Sequence, residues 1–362
     1  MHPPHKHSLF GRALVACAVF MAGGVHAAPT AEFRLSGAID RPAVFDRAAL
    51  EALPAVTQTV TYQSGSGAQT HTFVGASLWG MLNSAGIQTN PNVGNDANTR
   101  IVVAQGSDGY RAVYALGELN PGFGNLPALA AYAEVVGGAV VPLGSDGFAR
   151  TTAPGDARGG RYVSNLSELQ LQRTASTVTG IGGGASTSFT VSGAVLRPGV
   201  FDLSALQALT PVTQTIGADT YVGVSLWSLL NEVVGLATDP AVHNDLLGMY
   251  VVATGSDGYK AAFSLGELSP GFGNSPDMIA YALNGAELSF NGFARLIVPE
   301  DVRRGRWVSN LISLEVFHAA EIPEPSTYAL LGLGLVGIAW QRRRREPQLS
   351  AAAAAGASAR RA

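Results

Sequence analysis

Acidic and basic side chains recur at matching positions in two parts of this chain, and they are the residues best suited to chemistry. Carboxylates and guanidinium groups that share a groove can bind a small ligand, and carboxylate oxygens can also bind a cation. The eight ligand-binding candidates are Asp108, Glu118, Arg150 and Arg161, which return as Asp257, Glu267, Arg295 and Arg306.

The alternative for these residues is structural. Asp108 and Asp257 would cap their turns, and Asp156 and Asp301 would pair with nearby arginines. A duplicated chain repeats structural residues as well as functional ones. We therefore keep both interpretations and predict no catalytic residue.

Other familiar chemistries are poorly supported. Only His71, His243 and His318 lie beyond the N-terminal segment; they are far apart and are not repeated, so we predict no metal site and no histidine-based triad. The sequence has no Gly-x-Ser-x-Gly elbow and no Walker-type phosphate loop. Tyr110 and its counterpart Tyr259 are expected in the core.

The composition narrows the class of protein further. Charged residues make up 14% of the 362 residues, and the net charge is −3. No basic patch interleaved with aromatic residues occurs in the body of the chain, so nucleic acid is not an expected partner.

The N-terminus has the pattern of a secretory signal peptide over residues 1–27. Lys6 and Arg12 precede an apolar stretch, and cleavage is predicted between Ala27 and Ala28, after a small-x-small motif. This signal implies the Sec translocon and signal peptidase as partners. The alternative is a lipoprotein signal ending at Cys17, although the apolar run before it is short. Cys17 is the only cysteine, so the mature chain would have no disulfide and would depend on buried apolar area.

The body of the chain is a tandem duplication, in which one sequence pattern occurs twice. We place the first copy at 28–173, a Gly/Ser/Thr linker at 174–188 and the second copy at 189–318. The repeated segments are VGASLWGMLN (74–83) and VGVSLWSLLN (222–231), GSDGYRA (106–112) and GSDGYKA (255–261), LGELNPGFGN (116–125) and LGELSPGFGN (265–274), and GRYVSNL (160–166) and GRWVSNL (305–311).

Local signals predict mixed α and β structure in each copy. Asp46 and Asp202 are placed to cap one short helix, and Ser77 and Ser225 to cap a second. The Gly- and Ser-rich segment Tyr62–Thr72 reads as a surface loop that the second copy has largely lost.

These motifs, in this order, resemble the stand-alone bacterial form of the sulfite-oxidase-like, molybdopterin-binding domain. The resemblance is carried by the Phe-Asp-x-x-x-Leu-x-x-Leu opening, the Gly-x-Ser-Leu-Trp helix, Asp-Gly-Tyr, the run at 295–301 and the closing Gly-Arg-Trp-Val. It implies an α+β fold, with two tandem copies of a β-rich domain.

The resemblance does not extend to the metal ligand. In catalytic members a loop cysteine binds molybdenum, and the corresponding segments here contain none. Ser64 or Ser66 could offer an oxygen ligand instead. Arg161 and Arg306 occupy positions comparable to a cofactor-holding basic residue, which leaves an anion site open. We predict no cofactor, with molybdopterin as the alternative.

The C-terminal segment 322–345 resembles the PEP-CTERM sorting signal of exosortase substrates in Gram-negative bacteria. The tripeptide Pro323-Glu324-Pro325 precedes a short apolar run, predicted as a transmembrane helix, and four arginines follow as Arg342, Arg343, Arg344 and Arg345. Fifteen residues of helix span roughly 22 Å, less than the ~30 Å hydrocarbon core. The arginines are expected in the cytoplasm. The Ala-rich segment 346–362 reads as a disordered tail.

The sequence therefore predicts an exported exosortase substrate. It would be held briefly at the inner membrane with its domains in the periplasm, and then sorted to the cell surface or an exopolysaccharide matrix. Its two modules would bind a ligand, possible partners being exopolysaccharide or a small anionic ligand. The alternatives are a molybdopterin-dependent oxidoreductase without a cysteine ligand, and a carbohydrate- or matrix-binding adhesin.

Overall fold

The structure, a computed structural model, describes residues 29–322. The predicted signal peptide with its cleavage site, the residues from Pro323 to Arg345 and the Ala-rich tail lie outside the described residues. No helix within 29–322 is long and apolar enough to cross a membrane.

The first half of the described chain forms two sheets of five strands. One sheet has the order β2-β1-β10-β5-β6; the other has the order β3-β4-β7-β8, with β9 paired to β7. The strands are β1 (Glu32–Gly37), β2 (Ala43–Asp46), β3 (Ala55–Ser64), β4 (Gly67–Ser77), β5 (Arg100–Gly106), β6 (Arg111–Ala115), β7 (Leu129–Val136), β8 (Ala139–Pro142), β9 (Arg150–Thr151) and β10 (Leu166–Arg173).

The second half repeats this arrangement. Its sheets have the orders β12-β11-β20-β15-β16 and β13-β14-β17-β18, with β19 paired to β17. The strands are β11 (Ser188–Gly193), β12 (Gly199–Asp202), β13 (Val212–Ile216), β14 (Asp219–Ser225), β15 (Met249–Gly255), β16 (Lys260–Ser264), β17 (Met278–Leu283), β18 (Ala286–Glu287), β19 (Arg295–Ile297) and β20 (Leu311–His318). The β-rich class and its repetition agree with the sequence prediction.

Within residues 29–322, six short α-helices connect the strands, three in each half. The predicted caps are present: the Asp46 carboxylate accepts from the Ala49 N–H at 2.8 Å, and the Ser77 hydroxyl accepts from the Gly80 N–H at 3.2 Å. The helices are α1 (Arg47–Glu51), α2 (Leu78–Ala85), α3 (Leu116–Leu119), α4 (Leu203–Gln207), α5 (Leu226–Ser228) and α6 (Leu265–Leu268).

Strand β5 is apolar on both faces because each of its faces packs against a different apolar core. In β5, Val102 and Ala104 belong to the core of the first half, whereas Ile101 and Val103 pack against the second half. Side chains alternate across a strand, so a strand buried on both faces loses the polar alternation of a surface strand. The cluster around Ile101 joins the halves across an apolar face.

The helix after Ser225 differs from its counterpart in the first half. Asn231 and Gly235 are one residue further apart than Asn83 and Gly86. The extra residue is absorbed by a π-helical turn over Leu229–Val233, directly after α5. A wider turn of this kind accommodates one inserted residue without displacing the ends of the helix.

The prediction of a loop over Tyr62–Thr72 is wrong. These residues form the end of a long hairpin of β3 and β4. Its pairing runs from Ala55 opposite Ala76 to Ser64 opposite Gly67 at the tip. Alternating Thr residues pair across the strands, as in Thr59 with Thr72 at 2.9 Å. This β-branched pattern outweighs the turn-forming glycines, which are confined to the tip.

The segment predicted as a flexible linker lies against the second half. The Ile181 and Gly183 N–H groups both donate to the Ser256 carbonyl, at 2.7 and 2.9 Å. The Lys260 ammonium donates to the Ser176 carbonyl at 3.2 Å. Gly180 suits this contact, because a Cβ there would lie 2.7 Å from the Ser256 carbonyl oxygen.

Candidate functional site

The structure divides the eight predicted site residues among three places. Four of them line one cavity of about 260 Å³ between the halves: Glu118, Arg161, Glu267 and Arg306. Asp108 and Arg150 line a larger groove on the first half. Asp257 and Arg295 lie apart from both, in the second half.

The first ion-pair unit of the cavity belongs to the first half. Arg161 ends a tight 3₁₀ turn and is 1% exposed. Its Nε donates to Asp156 Oδ2 at 2.8 Å, its Nη2 donates to the other oxygen of Asp156, and its Nη1 donates to Glu118 in α3. This geometry holds the guanidinium group between two carboxylates.

The second unit repeats the first. Arg306 is 2% exposed; its Nε donates to the two Asp301 oxygens at 3.1 and 3.0 Å, and its Nη1 donates to Glu267 in α6. The pairing of Asp156 and Asp301 with arginines agrees with the structural interpretation of the sequence. The glutamates complete each unit.

Each arginine packs against glycines of the other half. A Cβ on Gly117 would lie 2.5 Å from Arg306 Cδ, and a Cβ on Gly266 would lie 2.7 Å from Arg161 Cδ. Only glycine leaves room for these side chains. The repeated Leu-Gly-Glu-Leu segment therefore has two roles: it supplies the glutamate to its own arginine and a flat surface to the partner half's arginine.

Negative charge is in excess around this cavity. Five carboxyl groups and two guanidinium groups line it, and a sixth carboxyl, Asp277, is buried beside Arg306. Burial raises the pKa of Asp277 to about 7, although Arg306 opposes the shift. Burial likewise raises the pKa of Glu267 well above its usual range, and Glu118 adds to the effect. These two buried carboxyl groups therefore hold their protons to a higher pH than exposed carboxyl groups do.

Hydrogen bonds to the glutamates distinguish the two units, and Glu118 Oε2 accepts from the Ala115 N–H at 3.2 Å. The Ser264 hydroxyl donates to Glu118 Oε2 at 3.1 Å across the halves. Ala115 stands at the equivalent position of the first half and has no hydroxyl. Within the described residues, Glu267 Oε2 is accordingly buried without a hydrogen-bond partner.

We expect Ser264→Ala to lower the free energy of unfolding by about 1–3 kcal/mol, because it removes one donor from the buried Glu118 carboxylate and also the cap that the hydroxyl gives to the Glu267 N–H at the start of α6. Urea denaturation of both variants would measure the loss. Ser313→Ala is the matched control, since the Ser313 hydroxyl is equally buried and has no partner in the described structure. Equal losses in the two variants would contradict the role given to the Ser264 bond.

The groove on the first half is larger and more polar, with a volume of about 1170 Å³. The β3–β4 hairpin forms one wall with Ser64 and Ser66. Tyr110, Arg158 and His243 lie on the other side, and His243 comes from the second half. Within residues 29–322 Arg158 has no carboxylate partner, so its charge faces the groove.

Hydrogen bonds fix the polar groups of this groove. The Tyr110 hydroxyl donates to the Gly160 carbonyl at 2.6 Å and accepts from Asn244 Nδ2 at 3.1 Å. Burial raises the pKa of Tyr110. Arg150 pairs with Asp146 and lies 5.2 Å from the Phe73 ring centroid. Arg150 is therefore a supporting residue beneath the groove. Asp108 mainly caps its turn by accepting from the Tyr110 N–H at 3.0 Å.

The equivalent surface of the second half is closed. Trp307 replaces Tyr162, and its ring packs between Arg295 and Arg304, at 4.9 and 4.6 Å from their Cζ atoms. The β13–β14 hairpin is too short to form a wall. Asp257 caps its turn by accepting from the Tyr259 N–H at 2.9 Å.

The groove residues do not fit a molybdenum centre held by a thiolate. The only cysteine of the chain is Cys17, outside the described residues. The Ser64 hydroxyl is used within its own turn, where it donates to the Gly67 carbonyl at 3.1 Å. Across residues 29–322, no three His, Cys, Asp or Glu side chains come together as a metal-binding group.

Several residues of these sites were not predicted from the sequence. Asp277 and Ser264 differ between the copies, being Ala128 and Ala115 in the first, and a search for repeated residues passes over them. Arg158 returns as Arg303, yet it lacks a distinctive motif. Comparing the copies for unmatched polar residues would have singled out Asp277 and Ser264.

Comparison with known proteins identifies the end of the chain. Residues 321–345 match the PEP-CTERM protein-sorting motif, which confirms that part of the sequence prediction and implies sorting by an exosortase. No curated protein matches the chain. Among solved structures, the sulfane dehydrogenase SoxCD from Paracoccus pantotrophus is similar, with 13% identity, a TM-score of 0.33, and coverage of 81% of this chain and 78% of that one.

Proposed function

We propose that this chain is an exported, exosortase-processed surface protein whose repeated β-rich halves form a non-catalytic binding module. The PEP-CTERM motif at 321–345 is the observation that carries the proposal. The N-terminal signal would direct export, with removal of residues 1–27. The short apolar run and the arginines would then hold the chain at the inner membrane, with both halves in the periplasm.

Alanine replacement of Pro323, Glu324 and Pro325 is expected to block processing and leave the protein in the inner-membrane fraction. Cell fractionation with immunoblotting of the native host would show this. The control is the alanine triple of Glu346, Pro347 and Gln348, just beyond the matched residues. Normal surface release of the first variant would refute exosortase processing.

The groove on the first half supports a polar, hydroxylated ligand such as a carbohydrate. It combines the Ser66 hydroxyl with the Arg158 charge and the Tyr110 side chain. Such a ligand would suit an adhesin in an exopolysaccharide matrix. Many hydrogen-bonding groups around one cavity fit a ligand with many hydroxyls better than an apolar one.

We expect Arg158→Ala to reduce retention on the host's own exopolysaccharide by about tenfold, since one direct charge-assisted hydrogen bond is lost. Arg303→Ala is the control, because Arg303 occupies the same position in the second half, away from the groove. Affinity chromatography of protein without the sorting segment would compare them. Equal retention would place the ligand elsewhere.

The alternative is an oxidoreductase that binds molybdopterin without a thiolate. The absence of cysteine from residues 28–362 weighs against it. Metal analysis of protein purified from the native host separates the two possibilities. Stoichiometric molybdenum would overturn the binding-module proposal.

A further inference from the structure

A second, apolar pocket lies on the first half, away from the groove and from the cavity between the halves. Its volume is about 320 Å³, within the range of small-molecule sites. The β1–β2 hairpin, the residues after α1 and the helix α2 enclose it. Leu35, Phe45 and Met81 supply much of its apolar lining.

Small residues keep this pocket open. Ala76, Gly80 and Ser84 line it, and a Cβ on Gly80 would meet nothing closer than 3.4 Å. The equivalent positions of the second half carry larger side chains. They are Val224 for Ala76, Ser228 for Gly80, Val233 for Ser84 and Val234 for Ala85. The matching arginine contacts fix this correspondence, since Arg41 donates to the Ser84 carbonyl and Arg197 to the Val233 carbonyl.

The mouth of the pocket carries a positive charge. Arg41 lines it, and within residues 29–322 the guanidinium group makes no ion pair. One of its N–H groups donates to the Ser84 carbonyl at the end of α2, which leaves further donors free. An apolar interior below an unpaired guanidinium group is complementary to an aliphatic chain that ends in a carboxylate.

We propose that this pocket binds a medium-chain aliphatic carboxylate, with the chain among Leu35, Phe45 and Met81 and the carboxylate on Arg41. The proposal is independent of the groove and of the sorting route. It gives the first half a second ligand class, which the larger residues of the second half would exclude.

Titration calorimetry of residues 28–322 with decanoate tests the proposal. All three apolar clusters lie within residues 33–322, so this protein keeps its whole core. We expect one site, with octanoate binding about 15-fold more weakly, because each methylene contributes roughly fourfold. Decyltrimethylammonium, with the same chain and the opposite charge, should bind at least tenfold more weakly than decanoate.

Two variants identify the pocket. Gly80→Leu should abolish decanoate binding by filling it, whereas Gly94→Leu, at a loop glycine with open space around it, should leave binding unchanged. Arg41→Gln, on the surface, should weaken decanoate about tenfold and leave decanol unaffected. If Gly80→Leu fails to fold, Arg41→Gln decides.

Three results would overturn the proposal. The first is equal binding of decanoate and decyltrimethylammonium. The second is binding of decanoate to the folded Gly80→Leu variant. The third is binding of a synthetic peptide of residues 321–345 without binding of decanoate, which would assign the pocket to the chain's own sorting segment.

Discussion

Replacement of Arg306 by methionine should cost about 3–5 kcal/mol of the free energy of unfolding. The substitution leaves the Asp301 carboxylate buried without its guanidinium partner, and it removes the donor to Glu267; an uncompensated buried charge is among the most destabilising changes in a protein. Burial disfavours the charged form of Arg306, yet its carboxylates hold the pKa above its usual value, so the charge is permanent. The packing against Gly117 would be lost as well.

Urea denaturation at constant pH measures this loss. Arg304→Met is the matched control in the same turn, because its side chain is 54% exposed and its contact with Asp219 is 3.6 Å long. We expect that control to lose less than about 1 kcal/mol. Arg306→Met combined with Glu267→Gln and Asp301→Asn should recover part of the loss. If the two single variants lose the same amount, the buried unit does not stabilise the fold as described.

The second large effect is a fall in stability as the pH rises towards neutrality, caused by Asp277. Its pKa is raised by burial from 3.8 in the unfolded chain to about 7 in the folded protein. Between these values the folded state holds a proton that the unfolded state has released. The free energy of unfolding must therefore decrease as the pH rises through this window, by about 1.4 kcal/mol per pH unit for one proton. Above the folded pKa the contribution is constant.

Asp277→Asn removes this titration. We expect the variant to show a shallower decrease between pH 5 and 7, by about one proton, and a higher free energy of unfolding than the parent at pH 8. Denaturation at several pH values would measure both. Asp277→Ala, which copies Ala128 of the first half, should behave in the same direction. An unchanged pH slope in both variants would show that Asp277 is ionised in the folded protein throughout this range.

Local signals in the sequence predicted local structure well. Asp46, Asp202, Ser77 and Ser225 cap helices as expected, because a cap depends on residues within one turn. The hairpin over Tyr62–Thr72 was missed because its glycines suggested a loop. The pairing of β3 with β4 depends on cross-strand contacts, which a linear pattern of turn residues does not reveal.

The site was predicted only in part. The pairing of Arg161 with Asp156 follows from their closeness in sequence, and the turn between them makes it possible. The meeting of Glu118, Glu267 and both arginines around one cavity depends on how the halves pack. That packing requires glycine at positions 117 and 266, because a side chain at Gly117 or Gly266 would clash with the arginine of the other half.

The exchange of arginine and glycine contacts between the halves has a consequence for how such a chain can change. In a dimer of identical subunits, every substitution appears twice and must suit both sides of a self-complementary interface. Joining the halves in one polypeptide removes that symmetry constraint. The two halves differ at several equivalent positions: Trp307 corresponds to Tyr162, and Asp277 corresponds to Ala128. One half can therefore keep an open groove while the equivalent surface of the other half is covered by Trp307 and two arginines.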